Sequence, residues 1–275
     1  MHSLCIKINN TNILNDLYFA ISNSNILGLK LKKNKFKIYH NIIIHFNKNN
    51  QNDFFNFLAQ NLCRIIITYF EPKLIKRFVN LNYFYFNDED KKIILDEYKL
   101  IKDKDIYDEV YVNNIIQNEV IKYITVNKTL ILTGFVNFRI NNYLNYLEKI
   151  ASESVNQYII DKEYISFVNL LRNYVESKLQ SSINVNLIYI NSNGILISDD
   201  GKYIELDRFN SSYISDISFS QNDYILNTLV GLLPSKIKIH LISEKDQFIK
   251  TIEMIFTNRV HICNGCSICK TYKLL

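Results

Sequence analysis

The sequence predicts a mixed α/β fold of the α+β kind, with helices packed on a mixed sheet. Three observations carry that prediction. Apolar residues recur at three- and four-residue spacing from Phe54 to Tyr69 and again from Leu144 to Val175, the period of an amphipathic helix. Alternating apolar residues flank Asn193-Gly194, a strong hairpin signal. Between Ile237 and Ile262 a strand pattern, a helix pattern and a second strand pattern follow one another. Short connections there imply a right-handed crossover and two parallel strands. The 275 residues are 48% hydrophobic and 21% charged. That is enough apolar mass for one large core or two modest ones, and too little charge for a disordered chain.

Taken in order, Leu4 to Ile8 alternates and reads as a strand. Ile13 to Ile21 carries Leu14, Leu17, Tyr18 and Ile21 on one helical face. Ile26–Leu31 and Phe36–Phe46 read as two strands joined by a lysine-rich turn, which completes a small N-terminal β-α-β-β unit. The next helix starts near Asp53, a candidate N-cap, and ends or kinks at Pro72. Cys63, inside it, reads as a small buried hydrophobe. Leu74–Phe86 is aromatic and ambiguous. Asp88-Glu89-Asp90 reads as a helix start, since acids favour the first turn; an oxygen-ligand set for a divalent ion is the weaker reading. Ile106–Ile124 is weakly helical, and Asn127–Thr133 reads as a short strand.

Gly134 is expected at a turn before a helix. The stripes after it predict either two helices, the second capped by Asp161, or one long kinked helix. Asn184–Tyr189, Ile195–Ser198 and Tyr203–Leu206, with turns at Asn193-Gly194 and Asp200-Gly201, predict a three-strand antiparallel meander. Ser220 caps a helix that Pro234 stops. Ile237–Ile242 is a strand, Glu244–Phe256 a helix, and Arg259–Ile262 the last strand. This organisation divides into an N-terminal α/β region with a helical segment, residues 1–130, and a C-terminal domain, residues 131–275.

The chemistry concentrates at Cys263, Cys266 and Cys269, a Cys-x2-Cys-x2-Cys run. It matches the first three ligands of a bacterial ferredoxin motif, but Thr271, Tyr272 and Lys273 stand where the fourth cysteine would follow. Two-residue spacing lets neighbouring thiolates wrap one ion, and Gly265 permits the tight turn between the first two. Zinc in a structural site wants four ligands. His261 is the first candidate for the fourth, because residues 261 and 263 of a strand point the same way. Cys5 or a second copy of the chain are the alternatives, and three cysteines with an open position also suit an iron–sulfur cluster. His240 alternates with Ile239 and Leu241, so its ring faces away from theirs; it reads first as a hydrogen-bonded structural histidine within reach of the cysteine loop. A redox reading uses Cys263 and Cys266, or Cys266 and Cys269, as a dithiol. Against it, the motif follows a strand and leaves little room for a helix. The remaining reading is a packed tail whose cysteines only fill space.

Other function classes find little support. The formal charge is +5. Lys30, Lys32, Lys33, Lys35 and Lys37 form one basic tract, which attracts phosphate without reading sequence. The stronger reading is a solvated edge hairpin blunted by lysines, so nucleic acid is not an expected partner. Arg139 and Arg172 fall on predicted helices, as ion-pair partners or anion ligands. No Walker or Rossmann glycine pattern, no local hydrolase constellation and no paired carboxylates occur. Residues Met1–Cys5 lack the pattern of a signal peptide, and no apolar run approaches the ~20 residues of a membrane span. The expected location is the cytoplasm, where thiols stay reduced and close-spaced cysteines favour metal or redox chemistry. A protein partner or a second copy of the chain stays open.

From Gly134 onward the sequence resembles the YtxC-like family. The residues that carry the resemblance are Gly134-Phe135 with Phe138-Arg139, Leu170-Leu171-Arg172, Pro234-Ser235-Lys236-Ile237, His240, and Arg259 through Cys269. The resemblance implies a cytoplasmic protein linked to spore formation in endospore-forming bacteria. It implies no catalytic activity.

Overall fold

The computed structural model describes residues 2–102, 108–206 and 220–272. The fold is mixed α/β, as expected, but it is built on two mixed four-stranded sheets. The chain divides into two compact units, Met1–Ile160 and Asp161–Leu275. No helix among the described residues is long and apolar enough to cross a membrane.

The first unit opens with β1 (His2–Ile8), α1 (Thr11–Ser22), β2 (Lys30–Lys35) and β3 (His40–Phe46), the expected β-α-β-β unit. Asn10 caps α1 through its side chain. Lys30, Lys32, Lys33 and Lys35 of the lysine tract lie on strand β2 rather than in a turn, and Lys37 falls in the hairpin loop at residues 36–39. β2 is the sheet edge, in the order β2-β3-β1-β4, where lysines keep unpaired backbone from recruiting another strand. Lys33 bonds Asn15 and lies over the Tyr18 ring.

Helix α2 (Gln51–Ile65) buries Phe54, Phe55, Leu58 and Leu62, and Asp53 lies in its first turn rather than at the cap. A π-helical turn, Ile66–Phe70, follows, and Pro72 sits at the start of α3 (Glu71–Asn82). The widened turn accommodates the missing proline N–H without breaking the helical path. α4 (Asp88–Lys102) begins at the acidic triad, with Asn87 capping the Asp90 N–H. α5 (Glu109–Val126) is capped by Asp108; the expected start at Ile106 lies outside the described residues. β4 (Thr129–Ile131) pairs parallel with β1, so residue 130 is part of the first sheet. Gly134 lies within α6 (Leu132–Phe138) rather than in a turn before it. The two expected stripes then form one helix, α7 (Asn141–Ser177), of 37 residues, with Asp161 inside it.

The second unit contains β5 (Asn184–Ile190), β6 (Asn193–Ser198), α8 (Gln221–Leu232), β7 (Lys236–Leu241), α9 (Gln247–Ile255), β8 (Val260–Ile262) and α10 (Ser267–Tyr272). The strand order is β6-β5-β7-β8. β5 and β6 form the antiparallel hairpin, and β5, β7 and β8 are parallel neighbours. The third meander strand is reduced to one bridge between Tyr203 and Ile197. Ser220 caps α8 with a full capping box, and Leu233 ends it in the left-handed region before Pro234. Arg259 is buried, its guanidinium satisfied by the carbonyls of Pro234 and Val175. It therefore pins the start of β8 to the last turn of α7, where helix carbonyls lack intrahelical partners.

The hairpin exists, but its turn is not Asn193-Gly194. The positive-φ residues are Asn191 and Ser192, with Ile190 paired to Asn193. Gly194 is the second residue of β6, and space rather than backbone angle selects it. A Cβ there would lie 2.6 Å from Ile225 Cδ1 and 3.0 Å from Leu187 Cδ1, both in the buried core. Gly194→Val is expected to destabilise the protein by roughly 1–3 kcal/mol through overpacking, read as a lower denaturation midpoint with an unchanged slope.

Candidate metal centre

Strand periodicity partitions the second sheet into two faces. Val185, Leu187 and Tyr189 of β5 join Ile237 and Ile239 of β7 in the apolar core, with α8 and α9 supplying Ile225, Leu229, Ile249, Ile252 and Ile255. The intervening residues, Asn186 and Ile188 of β5 and His240 of β7, point to the other face, and all three are buried. As the alternation predicted, the His240 ring lies away from Ile239.

The backbone of Cys263 continues the pairing of β8 with β7, donating to the Ile239 carbonyl at 2.8 Å. Gly265 then takes a φ of +111°, which lets the chain reverse over the sheet. Cys266 follows immediately before α10, and its thiol is held below its ordinary range, chiefly by the backbone N–H of Cys269. That short helix begins inside the motif, at Ser267, where the sequence suggested little room for one. It folds Cys269 back, 5% exposed, against His240. Burial pushes the Cys269 thiol up.

The three thiols and His240 thus converge. Their four donor atoms all lie within 4.8 Å of one another. His240 Nδ1 is 3.3 Å from Cys269 Sγ and 3.4 Å from Cys266 Sγ, and those two sulfurs are 3.9 Å apart. Burial first, then Lys238, holds the His240 pKa below the usual imidazole range. Both effects favour the neutral ring, the form that can bind a cation.

The ring that joins the thiols is His240, not His261. His261 is exposed on β8, aligned with Lys238 two residues before His240 in the register. Strand alternation does set residue 261 on the same side as 263, but β8 ends at Ile262, and the cysteine segment turns away over the face that His240 occupies. The signal that could have found His240 was the parallel β-α-β reading itself, because extending the β7–β8 register by one residue sets 240 beside 263. Cys5 lies on β1 in the first unit, paired with Ile43. Cys63 is buried in α2 with its Sγ 3.2 Å from Asn113 Oδ1, as expected of a core thiol. Arg172 pairs with Glu176 one turn along α7, and Arg139 is exposed at the end of α6.

The YtxC-like family profile matches residues 56–261. That span reaches further toward the N-terminus than the resemblance at Gly134 and includes His240. An uncharacterised protein, YtxC of Bacillus subtilis (strain 168), is 22% identical over 135 residues, which are 48% of this chain and 47% of that protein. The match therefore spans about half the length of that relative. No solved structure matches.

The thiols differ enough to be told apart chemically. Cys63 is 1% exposed and its pKa is pushed up to about 11, first by burial and then by Glu71. In chelator-treated native protein near pH 8, a soluble thiol reagent is expected to label Cys266 first. Cys63 should stay unmodified until denaturant is added, with mass spectrometry of the digest mapping the sites.

Proposed function

The chain belongs to the YtxC-like family, and on that premise we propose that it is a non-enzymatic metal-binding protein. In this reading one zinc ion is held by His240, Cys263, Cys266 and Cys269. The spacing of the donor atoms carries it. Thiolates ~2.3 Å from one tetrahedral zinc stand about 3.8 Å apart, and a thiolate and an imidazole nitrogen about 3.5 Å apart. The measured 3.9 Å between sulfurs and 3.3–3.4 Å from sulfur to nitrogen fit that arrangement. A four-iron cluster ties each ligand to a separate iron and needs the donors spread around a larger body. The 4.8 Å limit on all the separations therefore favours a single ion over the cluster.

The donor set also speaks to the kind of site. Four protein ligands fill a tetrahedral shell, whereas catalytic zinc keeps a position open for water or substrate. The ion would hold the segment from Cys263 to α10 against the sheet. The resemblance to spore-formation proteins supports a role in that process, and in this reading the molecule is a cytoplasmic, partner-binding factor. A second reading, a redox dithiol, draws on the depressed Cys266 thiol at the start of α10 and its 3.9 Å approach to Cys269. Of the two dithiols the sequence offers, this reading takes Cys266 and Cys269 rather than Cys263 and Cys266.

Protein purified without oxygen or chelator is expected to carry one zinc per chain by elemental analysis and native mass spectrometry. His240→Ala and Cys269→Ser should each lose it, and His261→Ala should retain it. Metal-free folded protein with a reversible two-electron thiol couple would favour the redox reading instead.

A further inference from the structure

The ligand histidine is held from behind. His240 Nε2 is 3.2 Å from Asn186 Oδ1 on the neighbouring strand. The Asn186 amide nitrogen in turn donates to Asp199 Oδ1 at 3.1 Å, and Asn184, two residues before it on the same face, donates to Asp199 Oδ2 at 2.8 Å. Ser235 Oγ donates to Asn184 Oδ1 at 2.9 Å, which fixes that second side-chain amide as well. The polar chain runs from the end of β6, across β5, to β7 and the thiols.

The order of donors and acceptors in this chain has only one solution. An ionised carboxylate accepts and cannot donate, so the group that Asn186 turns toward Asp199 must be its NH2. Its oxygen then faces His240, and only a protonated Nε2 can satisfy it. The proton on Nε2 leaves the Nδ1 lone pair directed at Cys266 and Cys269. The chemistry of Asp199 at the sheet edge therefore selects the tautomer at the buried centre. Metal-binding histidines generally need such an outer partner to fix the ring and its tautomer.

We infer that Asn186, oriented by Asp199, is the positioning residue that presents His240 Nδ1 to the metal. This inference rests on the single-ion reading above and adds to it which nitrogen coordinates and what makes it available. Among the described residues, His240 is the one proposed ligand that Asn186 hydrogen-bonds, and Asp199 acts through the Asn184 and Asn186 amides.

The test measures zinc affinity by chelator competition and the His240 tautomer by nitrogen-15 NMR, on the full chain, metal-free and zinc-loaded. In the unsubstituted protein Nε2 should carry the proton in both states. Asn186→Ala should weaken zinc binding about 10–100-fold and mix the tautomers of the metal-free protein. Asp199→Ala, at an exposed turn, should fold without difficulty and move both readouts the same way by less. It serves as the test if Asn186→Ala fails to fold. Zinc binding by the unsubstituted protein with affinity and tautomer unmoved in the variants would overturn the positioning role while leaving the metal site intact. Absence of zinc binding by the unsubstituted protein would overturn both.

Discussion

The parallel pairing of β7 with β5 on one side and β8 on the other is the constraint on which the candidate centre depends. A strand shows alternate residues to opposite faces. Once Ile237 and Ile239 are committed to the apolar core, His240 has to emerge on the far face. The same register brings Cys263 alongside it and carries the cysteine segment over that face. A one-residue slip would send the imidazole into the core and the isoleucines toward the thiols. The apolar burial that fixes this register is thus also what aims the ring, with each fully buried Ile or Leu contributing roughly 1.5–3 kcal/mol.

The far face carries a cost that the near face does not. His240 is completely buried, and Asn186 is only 9% exposed. Buried polar groups must find partners or lose the energy of their hydration. Here the partners are one another, with Asp199 at one end and two thiols at the other. The segment over this face is short, and a six-residue helix such as α10 has little stability of its own. Cys269, packed on His240, ties it down. A metal ion shared by the thiols and the ring would reinforce the same tie.

The first unit satisfies a buried polar group in a different way. Glu71, 1% exposed at the start of α3, accepts from Tyr98 at 2.6 Å, Tyr143 at 2.5 Å and Lys102 at 2.5 Å. Hydrogen bonds to a charged group contribute roughly 1.5–3 kcal/mol each. Donors from α4 and α7 therefore join at one carboxylate on α3. That cluster unites a charged acceptor with O–H and N–H donors and is complete within the protein. The thiol cluster, by contrast, gathers four atoms that can all act as ligands to a cation.

Local order was legible in the sequence wherever one local rule decided it. The helical stripe from Phe54, the Ser220 cap with its Pro234 stop, the acidic start at Asp88 and the β-α-β unit from Ile237 all follow from spacing and capping, because those interactions close within a few residues. The gathering of Cys263, Cys266 and Cys269 was legible for the same reason. Other features depended on neighbours distant in sequence. Gly194 sits in a strand because Ile225 and Leu187 occupy the space of its Cβ. The lysines of β2 form an edge strand because β3 pairs with them. Gly134 is helical, and α7 is continuous, where local signals allowed a turn or two helices. The choice of His240 over His261 belongs to the same class. Spacing along the last strand made His261 the first candidate and left His240 as a structural histidine, and only the pairing of two strands brought together by a helix determined which imidazole meets the sulfurs. Residue type and local period are properties of the chain itself, whereas which face is buried, and which side chains share it, is set by the partners that tertiary packing supplies.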